Sequence, residues 1–196
     1  MKSVYSFIVE PIGERYKNTS KVGDVELVMN TEMFNHQYVN REAIVKSIPL
    51  VNNTNVNVGD TVLIHHNVFR RWENIRGEEK NSKAFIDDKN YLVSEDQMFL
   101  YKNKGSWKCL SGFCFVKPIE SSVKFEKKTE QPFIGVVKHT DGSFKKGDLV
   151  GFHPGSEYEF IVDGERLYRV KSNFITIQYE YQGNEKEYNP SWAQSG

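Results

Sequence analysis

The sequence offers little that would hold a fold together apart from packing and hydrogen bonds. Cysteine occurs only twice, at Cys109 and Cys114, too few for a disulfide framework. Neither sign of charge is in excess: 26 Lys+Arg stand against 26 Asp+Glu. There is therefore no electrostatic reason to bind a nucleic-acid backbone or an anionic membrane surface. Apolar runs such as Val62-Leu63-Ile64 fall far short of the roughly 20 residues a membrane-spanning helix needs. The opening Met1-Lys2-Ser3-Val4-Tyr5-Ser6 leads into alternating residues, not into the apolar core of a secretion signal. A soluble, cytoplasmic protein with no membrane and no nucleic-acid partner is expected.

Catalytic motifs are also missing. The chain has no phosphate-binding glycine motif, nucleophile elbow or metalloprotease helix, so no enzymatic activity and no cofactor are expected. Four residues separate Cys109 from Cys114, and no second ligand pair follows at zinc-finger spacing. Both cysteines read as small core hydrophobes. His65 and His153 close two similar segments, which suits a ring nitrogen capping a turn better than a metal ligand; His36, His66 and His139 complete the set. Glu157 and Glu159 alternate on an expected strand and read as a solvated face.

What the sequence has is aromatics and alternation. With 13 Phe and 10 Tyr but a hydrophobic fraction of only 38%, it favours pleated, half-buried surfaces over long amphipathic helices. Short alternating segments, such as Tyr5-Ser6-Phe7-Ile8-Val9-Glu10 and Ala43-Ile44-Val45-Lys46-Ser47-Ile48, are separated by Gly, Asn, Asp and Pro clusters. An all-β fold is predicted.

Four of these segments recur in the same order. Val9-Glu10-Pro11-Ile12 returns as Val116-Lys117-Pro118-Ile119, and Ile44-Val45-Lys46 as Val136-Val137-Lys138. Gly59-Asp60-Thr61-Val62-Leu63-Ile64-His65 returns as Gly147-Asp148-Leu149-Val150-Gly151-Phe152-His153, and Tyr91-Leu92-Val93 as Tyr168-Arg169-Val170. The offsets shrink from 107 through 92 and 88 to 77 positions, as they would if the second copy had shorter connections. Two tandem copies of one β-module are predicted, at 1–103 and 110–182, joined by a linker at 104–109 and followed by a polar tail at 183–196. The glycines of the Gly-Asp pairs suit a tight turn into a core strand, and the Asp suits bonding to the turn amides. Val62, Ile64, Val150 and Phe152 then share the buried faces of small barrels with filled cores.

The Gly-Asp-x-Val step, the preceding charged-Pro-Ile step and the closing Ser172-Asn173-Phe174-Ile175-Thr176-Ile177 resemble the GroES co-chaperonin family. The tandem arrangement is similar to its double-domain plastid members, and divergent relatives occur in viruses. The resemblance implies two tandem GroES-like small β-barrels that oligomerise and cap a large GroEL-like chaperonin ring, by binding and not catalysis. In this family a mobile loop after the first strand grips the chaperonin through a Gly-x-Ile-x-Leu pattern. The first copy has room for one at 17–41, and there Gly23, Val25 and Leu27 match by position and type, with Met29 close behind. These are the implied chaperonin-binding residues, although Val25-Glu26-Leu27-Val28-Met29 also reads as an ordinary paired strand. The second copy has only 124–132 in the equivalent interval and lacks the pattern.

The intervals 52–55 and 139–143 are short for the family's roof hairpin. GroES-like folds also form the catalytic domain of zinc alcohol dehydrogenases, but no room remains here for a nucleotide domain and no Gly-x-Gly-x-x-Gly occurs. A structural or adaptor protein that keeps the fold without chaperonin binding is the alternative. The charged insert at 70–83 reads as a solvated hairpin tip, with Trp72 the feature that favours binding. The tail lacks periodicity and is expected to fray, unless Tyr188, Pro190 and Trp192 dock on a neighbouring subunit.

Overall fold

The computed structural model describes residues 1–16, 19–22, 25–28, 38–110, 112–121 and 129–195, with backbone alone at 19–22, 25–28 and 194–195. It is all-β, and the chain divides into two compact units, Met1–Ser106 and Trp107–Gly196. The division falls inside the interval 104–109.

The first unit contains β1 (Phe7–Pro11), β2 (Thr19–Val22), β3 (Val25–Val28), β4 (Glu42–Ser47), β5 (Thr61–Ile64), β6 (Arg71–Glu73), β7 (Glu79–Asn81), β8 (Phe85–Asp87), β9 (Asn90–Val93) and β10 (Met98–Asn103). Its main sheet runs β10-β5-β4-β1-β9-β8, while β2–β3 and β6–β7 are separate hairpins. β11 (Ser106–Cys109) begins at the division. In the second unit, β12 (Phe113–Glu120), β13 (Glu130–Thr140), β14 (Leu149–Phe152), β15 (Tyr158–Val162), β16 (Glu165–Lys171) and β17 (Ile175–Tyr179) form a six-stranded sheet in the order β15-β16-β12-β13-β14-β17.

Over these six strands of each unit the two orders are the same. β1, β4, β5, β8, β9 and β10 correspond in turn to β12, β13, β14, β15, β16 and β17, and the pairings around β1 and β12 agree closely. Val9 faces Val45 on one side and Tyr91 on the other; Val116 faces Val137 and Tyr168. The register slips at the same place in both copies, between Ile8 and Val9 and between Phe115 and Val116. A second matched slip falls between Met98 and Leu100 and opposite Gly151/Phe152. Because a one-residue slip turns every side chain of a strand to the other face, matched irregularities mean that both copies turn equivalent positions to the same face.

The Gly-Asp turns are superposable in their bonding. Gly59 and Gly147 take φ of 91° and 97°, a region that L side chains avoid. Their N–H groups donate to Val45 O and Val137 O, each at 2.8 Å. One carboxylate oxygen of Asp60 accepts from Asn57 N at 2.9 Å, and one of Asp148 accepts from Lys145 N at 2.9 Å. The turn therefore fixes where β5 and β14 enter the sheet, with Val62, Ile64, Val150 and Phe152 all buried.

Packing differs between the copies by exchange of bulk. Cys114 stands where the first unit has Phe7, and Phe152 where it has Ile64; Cys114 and Phe152 belong to one buried cluster with Val116, Val137, Val150, Tyr168, Val170 and Ile175. Such exchanges keep a core filled at roughly constant volume. Burying each large apolar side chain contributes about 1.5–3 kcal/mol. Cys114 is fully buried and Cys109 half-buried, both as free thiols. The insert forms the β6–β7 hairpin, whose turn leaves Ile75 fully exposed and Trp72 half-exposed.

The tail does not fray, contrary to expectation from its lack of periodicity. Its backbone bonds the second unit at 186–188, and Pro190 and Ala193 are buried. The reason is a charge requirement that only the folded sheet creates, described below. Among the described residues, no helix is long and apolar enough to cross a membrane.

Candidate functional site

The largest difference between the copies follows the first strand of each. In the second unit the β12–β13 ladder continues to Glu120↔Glu130, and Ser121 N donates to Thr129 O at 2.8 Å. In the first unit the chain departs after Tyr16 and returns at Val39, which form an isolated bridge. Both residues are buried, although they sit at the two ends of an excursion.

A set of polar contacts clamps these ends. Asn40, itself buried, donates through Nδ2 to Ile12 O at 2.7 Å and to Glu14 O at 3.0 Å. Its Oδ1 accepts from Glu42 N at 2.9 Å, and its own N–H donates to Arg15 O at 2.9 Å. One side chain thus satisfies three backbone groups that an irregular turn would leave buried and unpaired. Tyr16 Oη accepts from Arg71 N at 2.6 Å, with the Arg71 guanidinium 5.0 Å from the ring centre. Arg15 reaches Phe69 O through Nε and Nη2, at 3.2 and 3.0 Å, and its guanidinium lies 5.3 Å from the centre of the Tyr91 ring.

Within the excursion, β2 and β3 pair as Thr19↔Val28, Ser20↔Leu27, Lys21↔Glu26 and Val22↔Val25. Val25 and Leu27 are two positions apart in β3. The ribbon is separate from the main sheet. Gly23 and Met29, and much of the expected loop 17–41, lie outside the described residues, as does His36.

The second unit carries a different feature, which sequence reasoning missed. Arg166 donates through Nε to Glu159 Oε2 at 2.7 Å and through Nη1 to Glu130 Oε2 at 2.6 Å. Tyr168 Oη donates to Glu130 Oε1 at 2.6 Å. Burial pushes the Tyr168 phenol well above its ordinary value, and the hydrogen bond to Glu130 adds to the shift. Glu159 is therefore an ion-pair partner and not the solvated residue expected from alternation. Beside this group, Lys117 is buried and meets Glu165 at 3.0 Å and Glu187 at 3.5 Å, while Lys138 meets Glu187 at 2.7 Å. Burial raises the Glu187 carboxyl, but the Lys138 hydrogen bond and the charges of Lys138 and Lys117 outweigh this and hold it below the usual range.

The described histidines act locally. His65 Nδ1 accepts from Asn67 N at 3.1 Å and caps the short turn His66–Val68, and its ring stacks on His66. His153 Nδ1 lies 3.0 Å from Pro154 O. Burial lowers the His139 ring below its ordinary value. The Cys109 thiol is raised by burial, the opposite of what a reactive thiol needs. Among the described residues, no three His, Cys, Asp or Glu side chains are grouped to hold a metal ion.

Two signals in the sequence pointed toward these features: the extra length between Tyr16 and Glu42, and the Glu/Lys difference between equivalent positions 10 and 117. Compared with known proteins, the chain matches no family model, no curated protein and no solved structure.

Proposed function

We propose that this chain is a co-chaperonin-like binding protein. Two tandem GroES-like small β-barrels assemble into a homo-oligomer that caps a large chaperonin ring, without catalysis. The observation that carries this reading is the asymmetry between two copies of identical strand order. Only the first sends out a long excursion, and its ends are pinned by Asn40 and Tyr16. A scaffold that holds the ends of an excursion rigidly presents its middle to a partner in a defined place.

In this reading Gly23, Val25, Leu27 and Met29 supply the contact. One such ribbon per chain makes a weak contact, and several on one oligomer add through effective concentration. The whole then binds firmly while each contact stays releasable. The test is light scattering coupled to size-exclusion chromatography, first on the protein alone and then with a GroEL-type chaperonin and ATP. A stable oligomer that co-elutes with the chaperonin, and fails to do so as the Val25→Ala/Leu27→Ala variant, is the expected result. A monomer that ignores the chaperonin defeats the proposal.

One observation favours a second reading, a structural or adaptor protein of the same fold. β3 is already paired with β2, so Val25 and Leu27 stand in a formed ribbon and not in an unpaired loop. On that reading the double variant changes neither oligomerisation nor any chaperonin encounter, and the same chromatography separates the two.

A further inference from the structure

The tail lies on the second unit as an added strand. β16 flanks β12 only along Phe113–Val116, and beyond that point the position beside β12 is taken by the tail. Glu120 N donates to Lys186 O at 2.7 Å, Ile119 bridges Glu187, and Tyr188 N donates to Pro118 O at 2.8 Å. Asn189 then accepts from Arg166 N through Oδ1 at 2.9 Å and donates through Nδ2 to Gly164 O at 3.1 Å. A groove of about 460 Å³ lies between this segment and Ile119, Ile134, Leu149 and Tyr179.

Among the described residues, the first unit's sheet has no such strand. At the equivalent place Ile12 and Ile44 are 39% and 38% exposed, whereas Ile119 and Val136 are each 7% exposed. Charge explains the difference. In the first unit Glu10 and Lys46 neutralise each other at 2.9 Å. In the second, the equivalent residues are two cations: Lys138 meets Glu187 at 2.7 Å, and Lys117 meets Glu187 at 3.5 Å and Glu165 at 3.0 Å. The segment is joined to β17 through an exposed turn at 182–184, where Gly183 takes φ of 91° and Gln182 N and Gly183 N donate to the Glu185 carboxylate.

We propose that 185–190 is a detachable strap filling a peptide-binding slot beside β12. The slot is specific for an extended acidic segment with a carboxylate opposite Lys117 and Lys138 and an Asn two residues later. The strap occupies the slot in cis, as a stand-in for a segment of that chemistry. The inference is independent of chaperonin binding. Edge-on strand addition supplies affinity through the backbone, and the lysine pair supplies the selection.

The experiment uses the full chain with a specific protease site replacing 182–184, cut after folding. The tail fragment is expected to dissociate on dilution while the near-ultraviolet circular dichroism of the remainder stays native. A synthetic peptide of residues 184–196 should then rebind saturably. The same peptide carrying Glu187→Lys should bind at least tenfold more weakly, and so should the wild-type peptide to a Lys138→Gln protein. Unfolding of the remainder on fragment release overturns the proposal, because the tail is then an integral strand. A fragment that never leaves on dilution overturns it too, as does a Glu187→Lys peptide that binds as well as the wild type.

Discussion

Glu10 and Lys117 occupy the same position in the two units and carry opposite charges. Glu10 pairs across to Ile44 and Lys117 to Val136, so the backbone places them alike. Glu10 is solvated and takes Lys46 as partner, whereas Lys117 is buried under Glu165 and Glu187. Reversing the charge therefore has unequal consequences. Glu10→Lys faces Lys46 in water, and its urea midpoint should hardly move, since exposed pairs are worth little. Lys117→Glu sets a third carboxylate against Glu165 and Glu187 where water is excluded, and should cost about 3–5 kcal/mol. Equilibrium urea unfolding of the two variants checks the contrast; equal losses would show that Lys117 is not desolvated.

Acid should loosen the strap before it unfolds the sheet. The Glu187 carboxyl is held below its ordinary value, chiefly by Lys138 and then Lys117, against an opposing effect of burial. A carboxyl lowered in the folded state contributes stability in full above its unfolded value, near 4.5, and loses it as pH falls through the lower folded value. Once Glu187 is protonated, Lys138 loses its 2.7 Å partner and Lys117 keeps Glu165. Hydrogen exchange at the Tyr188 amide should speed up as pH falls below about 4.5, relative to Val137 in the sheet and after correction for intrinsic rates. In Glu187→Gln the relative rate should already be high at pH 6 and change little with acid.

The repeat was legible because its markers are local. A glycine that must take positive φ, an aspartate that bonds its own turn and alternating β-branched residues all announce themselves over a few positions. The four repeated segments fall on paired strands with the same partners in both units. The tail was not legible, since nothing near Glu187 in sequence explains its place. Lys117 and Lys138 become a pair only when β12 lies against β13. The role of Asn40 is hidden in the sequence for the same reason: its partners at Ile12 and Glu14 lie 28 and 26 residues away. At Glu159, alternation identifies a face of a strand but not what lies over it, here Arg166.

Gly135 and Ala43 give a second unequal pair. They occupy equivalent positions, opposite Pro118 and Pro11. A Cβ on Gly135 would stand 2.3 Å from Lys117 O and 2.7 Å from Val116 Cγ1, a clash with backbone that no rotamer relieves. Gly135→Ala should destabilise the second unit by about 3 kcal/mol or more, through forced separation of β12 and β13. Ala43→Gly should cost the first unit about 0.5–1 kcal/mol, the usual penalty of glycine inside a strand. Differential scanning calorimetry should show a much larger loss for Gly135→Ala. Comparable losses would mean that the β12–β13 contact yields easily.

Asn40 offers a way to separate the clamp from whatever the excursion binds. Asn40→Ala removes two donated bonds and one accepted bond from a site where water does not replace them, which should cost about 1–3 kcal/mol. Asn40→Asp keeps the acceptor for Glu42 N but sets a carboxylate against Ile12 O and Glu14 O, and should cost at least as much. Limited proteolysis of Asn40→Ala should cut within 17–38 several-fold faster than in wild type, while cutting at the exposed 182–184 turn of the second unit stays unchanged. If both sites accelerate together, the loss is global and Asn40 is a general stability residue. If only the excursion responds, and chaperonin co-elution weakens with Val25 and Leu27 intact, then fixed ends are what make the ribbon a binding element.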